Sequence, residues 1–540
     1  MTPGRSRPID FRSPPPYSGT VFVGAIAVAS LILSGAALAQ DKRPSEDDMF
    51  AGGGEAKPAA PAVERPAAAA QVEARDDALL GGGNAGPQLS AEVAPDNPLT
   101  IGGQLYLRAQ SSALEHSYPD HWTLASPNLI DAYFDARPND RVRAFIRGRV
   151  SYDPTAAPGA SAATSTTLVG AAMSSSGGAL AGSSATGFST FNASRGPNSV
   201  LDQMWIAFDI EHKVFVTAGK QHVRWGTGRF WTPTDFLHPV KRNPLDVFDA
   251  RPGTTMLKLH FPWESRAWNF YAFGVIEDPN VASNTLRQVS GAARAELVEG
   301  PAELGLDVLV KRDQKPRAGV DFSIGIGDFD LYTDVGLRAG SEISIVRPVD
   351  PSMVGAMCSS DLSSKYHVDT ASGIKPQAVG GVTWSRKYND NDVLTIGGEY
   401  FYNSVGYDDP SVYPGLLFND KGTPMLNFFY TGRHYAAVFA SLPAPYSWNY
   451  TTFTLSTIGN LSDQSFVTRF DYSVTLLTHL TFEAFAAGHY GHRGGEFRLG
   501  FDIDQQALCD ANGMPTGGAI PAIHVNAPVV DLGLALRLKI

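Results

Sequence analysis

From Leu99 to Ile540 apolar and polar residues alternate with period two. Leu99, Ile101, Leu105, Leu107 and Ala109 share one face, and Thr100, Gln104, Tyr106, Arg108 and Gln110 share the other. Val142, Ala144, Ile146, Val150 and Tyr152 stand against Arg143, Arg147, Arg149 and Asp153. The last run sets Val530, Leu532, Leu534, Leu536, Leu538 and Ile540 against Asp531, Arg537 and Lys539. Alternation of this kind puts one strand face in an apolar medium and the other in a wet one. A soluble sandwich shows it too, so length has to decide. The runs are about 9–12 residues long, enough to cross a bilayer at a tilt.

Counting these runs predicts strands at 99–110, 128–137, 142–153, 200–211, 213–223, 254–262, 266–275, 287–298, 302–311, 317–327, 328–339, 376–387, 392–402, 433–442, 448–458, 465–476, 479–489 and 528–540. Glu496 to Asp502 also reads as a strand. Placed within the last long connection, it leaves about 18 wall strands and both ends on one side; 16 is the fallback, because bacterial single-chain barrels are even-numbered. The fold class predicted is all-β, a transmembrane antiparallel β-barrel over residues 98–540. Tight turns at 138–140, 211–213, 299–301, 326–328 and 389–391 alternate with long segments at 111–127, 154–198, 224–253, 276–286, 340–375, 404–432 and 490–527. Short turns at one end and long loops at the other are expected of an outer-membrane barrel. Tyr106, Trp205, Trp263, Trp268, Trp384, Tyr388, Tyr400, Tyr402 and Trp448 fall near strand ends, as interfacial girdles require.

The first 97 residues read differently. Arg5, Arg7 and Arg12 precede an uncharged apolar run from Val21 to Leu33, followed by Ala37-Leu38-Ala39. This predicts a cleaved signal peptide over 1–39; an anchoring helix is the competing reading by length. Residues 40–97 are rich in Ala, Pro, Gly and acids, a composition that predicts disorder. Within them Asp47-Asp48-Met49-Phe50-Ala51-Gly52-Gly53-Gly54 recurs as Asp76-Asp77-Ala78-Leu79-Leu80-Gly81-Gly82-Gly83. The repeat is either a docking peptide for a periplasmic partner or a coincidence of low complexity.

Composition narrows the function classes. Charged residues make up 18% of the 540 and the formal net charge is -11. Three arginines against one aspartate lie in the signal segment, so the remainder carries about -13, a poor match to nucleic acid. No Gly-x-Ser-x-Gly, His-Glu-x-x-His, Walker or dinucleotide motif occurs, so neither an enzyme nor a bound cofactor is expected. Cys358 and Cys509 are either a disulfide between two long loops or two unrelated thiols.

The most distinctive stretch is 219–253. It runs Gly219-Lys220-Gln221, Trp225-Gly226, Pro233-Thr234-Asp235, Asn243-Pro244-Leu245-Asp246 and Asp249-Ala250-Arg251. It mixes Trp225, Phe230, Trp231, Phe236 and Phe248 with Arg224, Arg229, Arg242, Arg251, Asp235, Asp246 and Asp249. This pattern resembles the third-loop region of porin-like outer-membrane proteins, including large barrels of uncharacterised function. The resemblance covers about this loop plus the barrel pattern, and it implies a loop that folds into the lumen and narrows it. The residues allow the same reading: aromatics pack a loop against a wall, and fixed charges of both signs filter solutes. Packing for stability alone is the other reading. Constriction candidates are Arg224, Trp225, Arg229, Trp231, Asp235, Arg242, Asp246, Asp249 and Arg251. Arg143, Arg147 and Arg149 are expected to face the lumen, free to meet anions or paired with Asp131, Asp135 and Asp209. The function expected is a channel for small solutes in the outer membrane, with outer-membrane lipid and the barrel assembly machinery as partners. A closed-lumen barrel that binds partners through its loops is the alternative, and a barrel-embedded enzyme ranks last.

Overall fold

The structure, a computed structural model, describes residues 98–156, 195–238, 240–246, 249, 251–276, 286–349, 365–389, 392–417, 419, 421, 425–503, 506–509, 515–520 and 523–540. The signal segment, the stretch 40–97 with its repeat, Phe248 and Cys358 lie outside these residues, and the side chain of Cys509 is likewise outside.

Each run of alternating residues forms a strand. In chain order they are β1 (Leu99–Leu114), β2 (Asn128–Asn139), β3 (Val142–Tyr152), β4 (Asn198–Ile210), β5 (Val214–Gln221), β6 (Thr254–Trp263), β7 (Trp268–Val275), β8 (Ser290–Glu299) and β9 (Ala302–Lys311). They continue as β10 (Arg317–Ile326), β11 (Phe329–Ala339), β12 (Ile374–Lys387), β13 (Val393–Asn403), β14 (His434–Pro443), β15 (Thr451–Asn460), β16 (Ser465–Leu476), β17 (Leu480–Gly491) and β18 (Pro528–Lys539). The sheet holds 19 strands; Thr123–Ala125 is a loop ribbon paired only with β1, and the other 18 are the wall. Neighbours in sequence pair antiparallel, and β18 pairs with β1 from Gln104↔Lys539 to Ala113↔Val530. Ile540 N donates to Gly103 O at 2.9 Å and Gly103 N to Ile540 O at 3.1 Å. The wall therefore closes without a free edge, one of the two backbone solutions that survive in lipid.

Burial is inverted relative to a water-soluble protein. Leu534 is 56% exposed, Val438 55% and Ile130 53%, all pointing outward, while Arg143 is 2% exposed and Asp321 and Asp334 are 0%. Covering a Leu-sized side chain is worth roughly 1.5–3 kcal/mol. A coat of such residues around all 18 strands is stable only with lipid outside. Inside, charges at every second position find each other.

The strand ends differ. At one end short turns join the strands. Glu211 and His212 both take positive φ (52° and 55°) in the three-residue β4–β5 turn, the hand that matches strand twist. Asp209 offsets the strain there by accepting from His212 N at 2.9 Å. Gly300 and Gly327, with φ of 57° and 60°, take up the same hand at no steric cost. The opposite end carries the long connections, but the alternation is not strict: 312–316 and 461–464 on that end are short. Glu496–Arg498 is a 3-10 turn and Phe501–Ile503 pairs with Ile523–Val525, so this stretch belongs to the last loop and not to the wall. The girdle expectation needs two corrections. Trp263, Trp268, Tyr388 and Trp448 do sit at the turn end, partly exposed, but Tyr106 is 2% exposed and faces inward. Trp205 faces inward as well, stacked on Phe145 at 5.5 Å. Their register on the polar face of β1 and β4 outweighs their aromatic character.

Candidate functional site

Residues 222–253 connect β5 to β6 and run through the barrel interior, touching inward faces on both sides. Local chemistry shapes the path. Gly226 takes φ +92°, and a Cβ there would collide with Asp334 and Thr234. Asn243 caps its own turn, its side chain accepting from Leu245 N at 3.0 Å and its carbonyl from Asp246 N at 3.3 Å. Asp249 accepts from Arg251 N at 3.0 Å.

Two aromatic clusters fix the segment. On the side of its own strands, Trp225 is 1% exposed and meets Phe273 of β7 edge-on at 5.4 Å and Phe236 at 6.4 Å. Across the interior, Trp231 is wholly buried, stacked on Phe401 of β13 at 5.3 Å and tilted against Tyr435 of β14 at 5.5 Å. Its indole N–H donates to the Phe429 carbonyl at 2.8 Å. Small inward residues make room: Thr234 packs where Gly319 of β10 lacks a side chain, and Pro233 where Gly336 of β11 does.

The polar anchors are as specific. Glu399 of β13 accepts from the backbone N–H groups of Arg229 (2.7 Å), Phe230 (3.1 Å) and Trp231 (2.9 Å), and from the Tyr332 hydroxyl (3.0 Å). Thr234 N donates to Asp334 at 3.2 Å. Arg469 of β16 donates to the Leu245 carbonyl at 2.9 Å. Within the segment, Arg251 joins Asp249 (2.6 Å) to Asp235 (3.3 Å). Burial alone raises the Asp249 carboxyl, but the Arg251 guanidinium overrides it and holds the group well below the usual range. Burial pushes His238 down to about 4, so this ring is neutral at pH 7.

The nine residues singled out by sequence thus belong to one interior segment with distinct parts. Arg224 donates to the Gly228 carbonyl at 2.9 Å, and Arg229 lies over the Phe439 ring at 3.6 Å. The Arg242 carbonyl accepts from the Tyr430 hydroxyl at 3.3 Å, and Asp246 is buried. Arg143 and Arg149 face inward and are paired. Arg143 binds Asp135 at 2.8 Å and Arg149 binds Asp131 at 2.9 Å. Asp202 is shared between Arg149 (3.5 Å) and Arg147 (3.7 Å), and it also meets His222 at 3.0 Å. Asp209 is not their partner: it pairs with Arg141 and His212 at the turn end. A second buried cluster, unforeseen, joins Arg294 to Asp307 (2.8 Å) and Asp321 (2.7 Å). Glu399, Arg469 and Arg294 were also missed. Their alternation signal was present in β13, β16 and β8, but the sequence does not show which strands face each other across the interior. Among the described residues no group of three or more His, Cys, Asp or Glu is placed to hold a metal ion.

The fold and the interior segment define a class: a closed barrel of 18 strands, apolar on its outer face, with a polar, ion-paired lumen crossed by an inserted loop. Among solved structures the chain is similar to OccK9 (OpdG) of Pseudomonas aeruginosa, with 8% identity, TM-score 0.44, and coverage of 83% of this chain and 100% of that one. It is similar to OccAB3 of Acinetobacter baumannii, with 10% identity, TM-score 0.42, and coverage of 82% and 99%. Similarity at this level carries no functional argument. No protein-family model and no curated relative matches the chain.

Proposed function

We propose that this protein is an outer-membrane channel for small solutes, exported by a cleaved signal peptide and inserted by the barrel assembly machinery into outer-membrane lipid, with residues 224–253 as its constriction. The observation that carries the reading is the anchoring of 222–253 to inward faces of β7, β10, β11, β13, β14 and β16. A loop that only covered a mouth needs no buried carboxylate on the far wall. Fixed charges of both signs beside this loop supply the local field that sorts solutes. Arg224, Trp225, Arg229, Trp231, Asp235, Arg242, Asp246, Asp249 and Arg251 are its constriction residues. The lumen charges Arg143, Arg147, Arg149, Asp131 and Asp135 act as a fixed, internally paired lining. No catalytic role is assigned to any of them. Cys358 and Cys509 are proposed as a loop-to-loop disulfide, and the 47–54 and 76–83 repeat as a periplasmic docking peptide.

A closed lumen is the second reading. The two aromatic clusters around Trp225 and Trp231 favour it, because they fill interior space on both sides of the segment. Conductance of the refolded protein in planar bilayers separates the two. Stepwise ion currents support the channel; an inserted, heat-modifiable barrel that passes no current supports the closed form.

A further inference from the structure

Cations gather on the inner wall at the loop end, and among the described residues one of them, Arg317, has an acid in a salt bridge. In β11, Asp334, Gly336 and Arg338 alternate inward while Leu331 and Leu337 point out. Directly across from Arg338 on β12 stands Lys375. On the other side, one step beyond the Ala318↔Leu337 pair, stands Arg317 of β10. Three cations are thus abreast on three neighbouring strands, an arrangement that destabilises a sheet. Of the three, Arg317 has an acid, Glu342, at 3.2 Å. The Arg338 Nε is buried without a hydrogen-bond partner among the described residues, and its guanidinium sits 5.6 Å from the Phe236 ring.

The interior segment adds a fourth cation. The Lys241 ammonium is buried and also lacks a hydrogen-bond partner among the described residues. Burial first, then the charge of Arg338, pushes it down to about 7; Arg251 acts the same way, and Asp235 and Asp334 oppose it. Those two acids are partly engaged, Asp235 by Arg251 at 3.3 Å and Asp334 by Thr234 N at 3.2 Å, and each keeps one buried oxygen without a hydrogen-bond partner among the described residues. A buried charge without a partner is costly. A cluster of such groups in a cleft points to a site for the opposite charge.

We propose that Lys241, Arg338 and Lys375 form a binding subsite for a small dianionic oxyanion of the phosphate type, either inorganic phosphate or the phosphate group of a small monoester. The charge count selects the dianion. Arg317 is matched by Glu342, which leaves Arg338 and Lys375, joined by Lys241 when a bound anion holds it protonated, more than one carboxylate neutralises. A phosphate group offers three oxygens and two charges to a guanidinium and two ammonium groups approaching from different sides. The inference rests on the channel reading for its role, since the subsite would hold such solutes at the loop-side mouth.

The test uses the refolded full chain in planar bilayers. Inorganic phosphate, glycerol 3-phosphate and acetate are titrated in turn as blockers of the KCl current. Inorganic phosphate, glycerol 3-phosphate or both should block at about 10-fold lower concentration than acetate, and the one that blocks identifies the source. Lys241→Gln and Arg338→Gln should each raise the half-blocking concentration about 10-fold, roughly one charge contact, and Lys241→Arg should retain block. Heat-modifiable migration selects the variants that fold. Phosphate compounds no more potent than acetate, or block untouched in both Gln variants, would overturn the subsite while the KCl current left the channel reading standing. If the protein passes no KCl current, the channel reading fails on its own. The subsite is then decided by calorimetric titration of inorganic phosphate into the detergent-folded barrel: binding heat that Lys241→Gln removes supports it, and no such heat overturns it.

Discussion

Glu399→Gln is the most direct perturbation of the interior segment. The substitution keeps the side-chain size but replaces a carboxylate that accepts from three backbone N–H groups and one hydroxyl at 2.7–3.1 Å. A hydrogen bond to a charged group is worth about 1.5–3 kcal/mol, a neutral one about 0.5–1.5 kcal/mol. The amide nitrogen is itself a donor, so it also leaves at least one buried N–H unmet, at about 1–3 kcal/mol. Together the anchorage at 229–231 should weaken by about 3–5 kcal/mol. Every 1.4 kcal/mol is tenfold in an equilibrium, so release of this stretch from the wall becomes on the order of a thousandfold more frequent. Trp231 still holds the segment by its ring and indole bond, so detachment should be intermittent. In planar bilayers the variant should show larger open-channel noise and a higher mean conductance. The barrel wall is untouched, and the temperature at which the heat-modifiable form is lost should move little. Conductance and noise identical to the parent chain, in a variant shown to be folded, would refute the anchoring role.

Three further outcomes are expected. Trp231→Ala removes a wholly buried ring stacked on Phe401 and tilted against Tyr435 and should cost about 3–5 kcal/mol, read as a lower temperature of heat modification and as increased conductance. Arg143→Glu sets a second carboxylate beside Asp135, the 2.8 Å partner of the original arginine; reversal potentials in a KCl gradient should shift toward cation preference. Glu496 lies in the last loop, where burial and Asp463 push its carboxyl from 4.5 up to about 8. Folding then takes up a proton between those values, so stability falls as pH rises from about 4.5 through 8 and levels off above; in Glu496→Gln the slope measured by thermal unfolding should flatten across that window.

The wall was legible because period two is a local property. Each of the 18 strands could be read from its own residues, and the face that each residue of β3 and β18 takes followed from alternation alone. The interior segment was legible as unusual, since Trp225, Phe230 and Trp231 have no reason to crowd a solvated loop. Its anchors were not legible. Glu399 sits in an ordinary-looking strand, and its partners lie about 170 positions earlier in the chain. Whether the lumen arginines on β3 are free or paired was left open for the same reason: Asp202, which is shared by Arg147 and Arg149, lies on β4 beyond a long connection. The order of neighbours was predictable from the strand sequence, but the bulge between Arg147 and Gly148 shifts the register there.

The seam between β1 and β18 has a consequence for how the wall is made. Ile540 exchanges backbone bonds with Gly103, so the first and last strands complete each other and no shorter stretch of the sheet is free of open edges. A chain cut short before β18 leaves β1 and β17 with unpaired backbone rows, and such rows recruit strands from other molecules. Closure therefore acts as a proofreading step: a truncated chain fails by sticking to its neighbours, and a whole one becomes inert toward them at the moment its ends meet.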